Sequence, residues 1–204
     1  MKYYSLKQQL EPLVVFSLQD IYLVDPNFRQ PTLYDWEKTK QVIKLKNNCY
    51  VFSDFVAKNY DYYLLSNLLY NPSYVSTELA LNHYGIIPEA VRVITAVTTN
   101  KTQSFTALEI TFSYRTIRPE LFFGYDLIDV RKHGVKLASL EKAILDYLYL
   151  NPAVSTEEDF TGLRWNKQIL RNEVNKAKFT EYLAIFSNTA LSERVKSLHN
   201  YLEK

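Results

Sequence analysis

Between Ser17 and Phe52 the apolar side chains change rhythm, and that change limits the fold more than any other feature of the chain. Ser17, with Asp20 three residues on, reads as a helix N-cap. Leu18, Ile21 and Tyr22 follow at helical spacing. That helix should end near Asp25-Pro26, because a residue before proline avoids the α region. Pro31 suits the first turn of a second helix. Run to Lys40, this helix buries Leu33, Trp36 and the stem of Lys40, and turns Pro31, Tyr34, Asp35 and Lys38 outward. Val42–Lys46 and Cys49–Phe52 then alternate around Asn47-Asn48, a pair that tolerates left-handed backbone and so predicts a hairpin. A short polar helix over residues 2–11, stopped near Pro12, precedes them. Helix, turn, helix, hairpin is the order of a winged helix-turn-helix, whose second helix can enter the major groove of DNA.

The remainder reads as a second unit of mixed type. Residues 62–70 form an apolar helix, and residues 77–84 another, stopped by Gly85. Residues 91–98, 110–115, 127–130 and 135–138 read as strands, the last two flanking a turn at Lys132-His133-Gly134. Ser139 caps a helix over residues 140–150, with Leu140, Ala143, Ile144, Tyr147 and Leu148 on one face. Two or three amphipathic helices complete the chain after Pro152. The expected fold class is α+β in two domains: 1–57, a winged helix-turn-helix, and 58–204, a mixed α/β domain ending in helices.

Charge and composition narrow the function. Residues 1–58 carry eight basic and six acidic side chains, residues 59–159 eight and twelve, and residues 160–204 eight and four. Basic ends suit phosphate, and an acidic middle suits a protein partner. The single cysteine, Cys49, rules out an internal disulfide and any zinc site built on two thiolates. No stretch approaches the ~18 apolar residues of a membrane span, and residues 1–9 are too polar for the apolar core of a signal peptide. A reduced, cytoplasmic protein is expected. Enzyme chemistry finds no support. His83, His133 and His199 are scattered, and no phosphate loop, nucleophile elbow or paired-histidine site occurs. A nuclease built on Asp126, Asp129 and Arg131 fails because residues three apart on a strand face opposite sides. No catalytic residue, metal or cofactor is expected.

The central third carries a recognisable series: Pro72-Ser73-Tyr74-Val75-Ser76, Tyr84-Gly85-Ile86-Ile87-Pro88-Glu89, Phe112-Ser113-Tyr114-Arg115, Pro119-Glu120-Leu121-Phe122-Phe123-Gly124-Tyr125, and Ser139-Leu140-Glu141-Lys142-Ala143-Ile144-Leu145-Asp146-Tyr147-Leu148. In order and spacing this series resembles the AbiEi family of abortive-infection antitoxins, the antitoxin half of type IV toxin–antitoxin pairs. Phe28-Arg29-Gln30, Leu33-Tyr34, Trp36 and Cys49-Tyr50-Val51-Phe52 are similar to the family's winged helix. The resemblance implies a transcriptional autorepressor that binds double-stranded DNA at inverted repeats in its own promoter. It also implies that the C-terminal domain counteracts a cognate nucleotidyltransferase toxin, by contact or indirectly. A monomer in solution is expected. The family's wing turn is commonly a basic residue followed by glycine; here it is Asn47-Asn48, which supplies the geometry without the charge.

Residues 28–46 hold five cations and two acids. Arg29 and Gln30, at the helix entrance, suit guanine and adenine edges. Tyr34 and Lys38 face outward, and Asp35 either accepts from cytosine or favours the helix N-terminus electrostatically. Lys44, Lys46 and Asn47 are placed to meet the DNA backbone from the hairpin. On the antitoxin side, the acidic middle offers Glu89, Glu120, Asp126 and Glu141 to a basic nucleotidyltransferase cleft, with Phe122, Phe123 and Tyr125 as aromatic anchors or as core. The alternative is a protein-interaction antitoxin module that has lost DNA binding, argued from the thin cationic face and the altered wing.

Overall fold

The computed structural model describes residues 3–55 and 61–203, so the domain boundary expected at residues 57 and 58 lies outside the described residues. The class is α+β with helices at both ends. Helix α1 (Tyr3–Leu10) runs into a 3₁₀ turn at Glu11–Leu13. Helix α2 (Leu18–Val24) carries a complete capping box from Ser17 and Asp20. Helix α3 (Gln30–Lys38) follows, then strands β1 (Val42–Lys46) and β2 (Cys49–Phe52), which pair antiparallel. Lys40 is exposed at φ 56°, outside the helix and not on its buried face; α3 stops two residues earlier than expected because the backbone turns left-handed there.

Helix α4 (Asp61–Leu69) leads to strand β3 (Ser73–Val75), helix α5 (Thr77–His83) and strand β4 (Val93–Thr98). Strands β5 (Gln103–Ala107) and β6 (Ile110–Thr116) form one hairpin, and β7 (Tyr125–Val130) and β8 (His133–Ala138) another. The six strands lie in the order β5-β6-β4-β3-β8-β7. β6–β4 and β3–β8 are parallel and the other pairs antiparallel. Strand β5 was not expected. The turn before β8 is Arg131-Lys132, both left-handed, so His133 and Gly134 belong to the strand. Helix α6 (Leu140–Leu150) is buried on every side along residues 140–148, not on the one face its spacing suggested. Four helices rather than two or three follow: α7 (Glu157–Leu163), α8 (Lys167–Asn172), α9 (Lys176–Phe186) and α10 (Thr189–Glu203).

The interior forms two hydrophobic clusters. The smaller joins Leu6, Leu10, Phe16, Ile21, Phe28, Leu33 and Trp36 to Val42, Tyr50 and Phe52. The larger fills the rest of the molecule and includes Leu45 and Val51. The β1–β2 hairpin is therefore a wall common to both cores. Strand alternation sends Tyr50 and Phe52 one way and Val51 the other.

Candidate nucleic-acid interface and partner surface

Burying Leu33 and Trp36 fixes the rotation of α3. Trp36 lies 5.0 Å from the Tyr3 ring and 5.4 Å from Phe28, which leaves Arg29, Gln30, Tyr34, Asp35 and Lys38 exposed. Arg29 holds the N-cap position without a side-chain cap, and no acid occupies the first turn. The positive end of the helix is thus unquenched. Asp35 sits beyond that first turn, so its expected interaction with the helix N-terminus is not made. Gln30 Nε2 lies 3.5 Å from the Tyr34 hydroxyl, one turn along the same exposed face.

The hairpin is held to α2 at two levels. Phe16 and Tyr50 exchange backbone hydrogen bonds of 2.9 and 2.8 Å, and Asn48 Oδ1 accepts the Leu18 N–H at 3.0 Å. Asn47 and Lys44 are exposed. Lys46 departs from the expected set. Its ammonium lies 5.1 Å from the centre of the Tyr70 ring and 5.3 Å from that of Phe105, facing the large sheet. Among the described residues the exposed cations of this end are therefore Arg29, Lys38, Lys40 and Lys44.

The residues expected to face a toxin do not form one patch. Glu89 is exposed after α5, and Glu120 is exposed and paired with Arg118 at 3.3 Å. Phe122 and Tyr125 are half-buried around Tyr74, with centroids 5.0 and 5.3 Å from its ring. Phe123 packs instead on Tyr182, 5.0 Å away. Glu141 is buried: it accepts the Asn175 N–H at 2.9 Å and sits 3.5 Å from Lys178 Nζ. Glu141 therefore ties α6 to α9 and offers no surface. Of the four acids expected to face a toxin, Asp126 is the one that lies exposed on the sheet, beside Tyr125 on β7.

A buried polar cluster lies beneath these residues. Lys142 and Asp146, one helical turn apart in α6, form an ion pair with no exposed side chain. Lys142 Nζ also lies 2.8 Å from the Tyr74 hydroxyl, which donates to Asp146 Oδ2 at 2.8 Å; Ser76 donates to the same oxygen at 2.8 Å. Burial pushes Lys142 down and Asp146 up, each opposed by the other's charge, and burial pushes Tyr74 well above its ordinary range. Gly124, at φ 73°, makes room for the lysine stem, because a Cβ there would stand 3.1 Å from it. The four-residue spacing of Lys142 and Asp146 was the available sequence signal. The cluster is fully packed and hydrogen-bonded, so it braces α6 against β3.

Among the described residues no three His, Cys, Asp or Glu side chains gather as metal ligands, and no helix is long and apolar enough to cross a membrane. Burial pushes the Cys49 thiol up, away from nucleophilic character. No protein-family model matches the chain, and no curated protein matches it.

Proposed function

We propose that the chain is the antitoxin of a type IV toxin–antitoxin pair, as its resemblance to the AbiEi family implies. In this reading the N-terminal unit, expected over residues 1–57, acts as a winged helix-turn-helix that represses the chain's own operon, and the larger unit counteracts a nucleotidyltransferase toxin. One observation carries the DNA-binding half: Arg29, Gln30, Tyr34 and Lys38 are exposed together on α3, with the helix's positive end unquenched and Lys44 exposed on the hairpin behind it. Phosphate contacts from the cations would set register, and Arg29 and Gln30 would read base edges. Two copies on an inverted repeat would each present one such face.

A second reading, an interaction module without DNA binding, is favoured by Asp35 on the same exposed face and by a hairpin buried on both sides. A mobility-shift titration on the chain's own promoter separates the two. Repression requires a shifted complex whose affinity falls steeply with salt; the absence of a complex at low salt selects the second reading.

A further inference from the structure

The two edges of the six-stranded sheet are not alike. At one edge, β5 lies against the N-terminal hairpin, with Lys46 of β1 over the Phe105 ring at 5.3 Å. At the other, β7 pairs with β8 and, among the described residues, with no second strand.

The pairing register shows which backbone groups of β7 are spent. Leu127 stands opposite Lys136 and Tyr125 opposite Ala138. Lys136 gives its N–H to Asn67 Oδ1 at 2.8 Å, and its carbonyl accepts from Asn67 Nδ2 at 3.5 Å. The Ala138 carbonyl accepts from the Tyr84 hydroxyl at 2.9 Å. Lys136 and Ala138 therefore direct these groups away from β7. In an antiparallel ladder hydrogen-bonded and non-bonded pairs alternate. Tyr125, Leu127 and, two residues on, Asp129 thus aim their N–H and C=O groups at the open edge.

The side chains there are unusual for a bare edge. Asp126 and Asp129 are exposed, and acids of this kind commonly protect an edge strand from pairing. Leu127 between them is 68% exposed, and an apolar side chain offers no such protection. A backbone ladder that no described strand pairs, an exposed leucine and two nearby carboxylates together form an acceptor for an added strand.

We infer that β7 is a strand-addition site for a basic, apolar-alternating strand of a protein partner. Charge selects that occupant. A second copy of this chain would gather four aspartates in one short ladder, and like charges across a ladder are destabilising. A strand that alternates lysine or arginine with apolar residues meets Asp126 with opposite sign on one face and covers Leu127 on the other. The identity of the partner as a toxin rests on the antitoxin reading; the strand site itself does not.

The test uses the full chain and a capped synthetic peptide of about eight residues alternating valine and lysine, long enough to span the edge. Amide hydrogen exchange is read residue by residue. At saturating peptide the Leu127 and Asp129 amides should slow by about tenfold or more, and a valine–glutamate peptide should leave them unchanged. Leu127→Pro removes an outward N–H that the β7–β8 ladder does not use, so it should abolish the protection. Leu127→Lys keeps that N–H and tests the charge instead, with protection reduced. Three results overturn the proposal: a Leu127 amide already as slow as those of β8 without peptide, equal protection by the glutamate peptide, or protection that rises with protein concentration alone, which would mark a second copy as the occupant. A promoter mobility shift run on the same samples reports the DNA-binding reading separately, so either can fail alone.

Discussion

Asn48 Oδ1 accepts the backbone N–H of Leu18 at 3.0 Å, tying the tip of the hairpin to the first turn of α2 across thirty positions of sequence. Asn48 is also the left-handed residue of the turn, at φ 56°, while its neighbour Asn47 is exposed. The two asparagines of one turn therefore do different work. Asn48→Ala should destabilise the chain by about 1–2 kcal/mol, through the lost hydrogen bond and the strained backbone. Asn47→Ala should cost no more than about 0.5 kcal/mol. Urea denaturation followed by circular dichroism measures both.

The first fifty residues were legible because each boundary has its own chemistry. Ser17 and Asp20 cap, Asp25-Pro26 stops, Pro31 restarts and Asn47-Asn48 turns. Strand β5 escaped because its turn lacks such a signal. Leu108 and Glu109 take φ 50° and 62° in a two-residue connection that glycine or asparagine usually fills. Arg131 and Lys132 do the same at the β7–β8 turn, whereas the expected turn, Lys132-His133-Gly134, runs two residues too far into β8. In both hairpins sheet pairing overrides the local preference of the turn residues.

The proposed DNA face separates cations that periodicity alone treats as equal. Arg29→Ala, Lys38→Ala and Lys44→Ala should each weaken promoter binding, and each should lower the salt slope by about 1 where a phosphate contact is lost. Lys46→Ala should leave the slope unchanged, because its ammonium is held over Tyr70 and Phe105. It should instead lower stability by about 1 kcal/mol as the cation–ring contacts go. Mobility shifts at several salt concentrations and a denaturation curve distinguish the two effects. An unchanged salt slope in the Arg29, Lys38 and Lys44 variants alike would falsify the assignment of this face.

The larger unit was read for surface residues where its polar groups are partly interior. Lys142 and Glu141 look like an ordinary charged helix surface in sequence, yet both are buried. Within α6 the spacing of Lys142 and Asp146 signals an ion pair, not its burial. α5, β8, α9 and α10 all pack on α6, and that arrangement is fixed by residues far away in sequence.

Removing one partner of the Lys142–Asp146 pair strands the other in the core. Asp146→Ala leaves a buried ammonium, and also frees the hydroxyls of Tyr74 and Ser76 from their acceptor. The expected loss is about 3–5 kcal/mol. Lys142→Met with Asp146→Leu removes both charges, so it should recover most of that loss. A double-mutant cycle by chemical denaturation reads the difference. If Asp146→Ala alone cost under about 1 kcal/mol, the bracing role of the cluster would be untenable.

Acid sensitivity should be visible at the start of α7. Asp159 accepts the Ser155 and Thr156 N–H groups at 2.9 and 2.8 Å, and these bonds with the Thr156 hydroxyl hold its carboxyl below the ordinary value of 3.8. A depressed pKa means that between the folded value and 3.8 the unfolded chain binds the proton more readily. The carboxylate's contribution is thus complete above the unfolded pKa and is lost as pH falls through the folded one. Helix α7 buries Phe160 against Trp165 and Tyr201, so weakening its cap loosens a contact inside the large core. Amide exchange across residues 157–163 should accelerate as pH is lowered below 3.8, after correction for the intrinsic rate. Asp159→Asn cannot titrate, so this acceleration should disappear from its profile, and the variant should already show the faster exchange at neutral pH. The same pH dependence in wild type and variant would place the acid sensitivity at some other carboxylate.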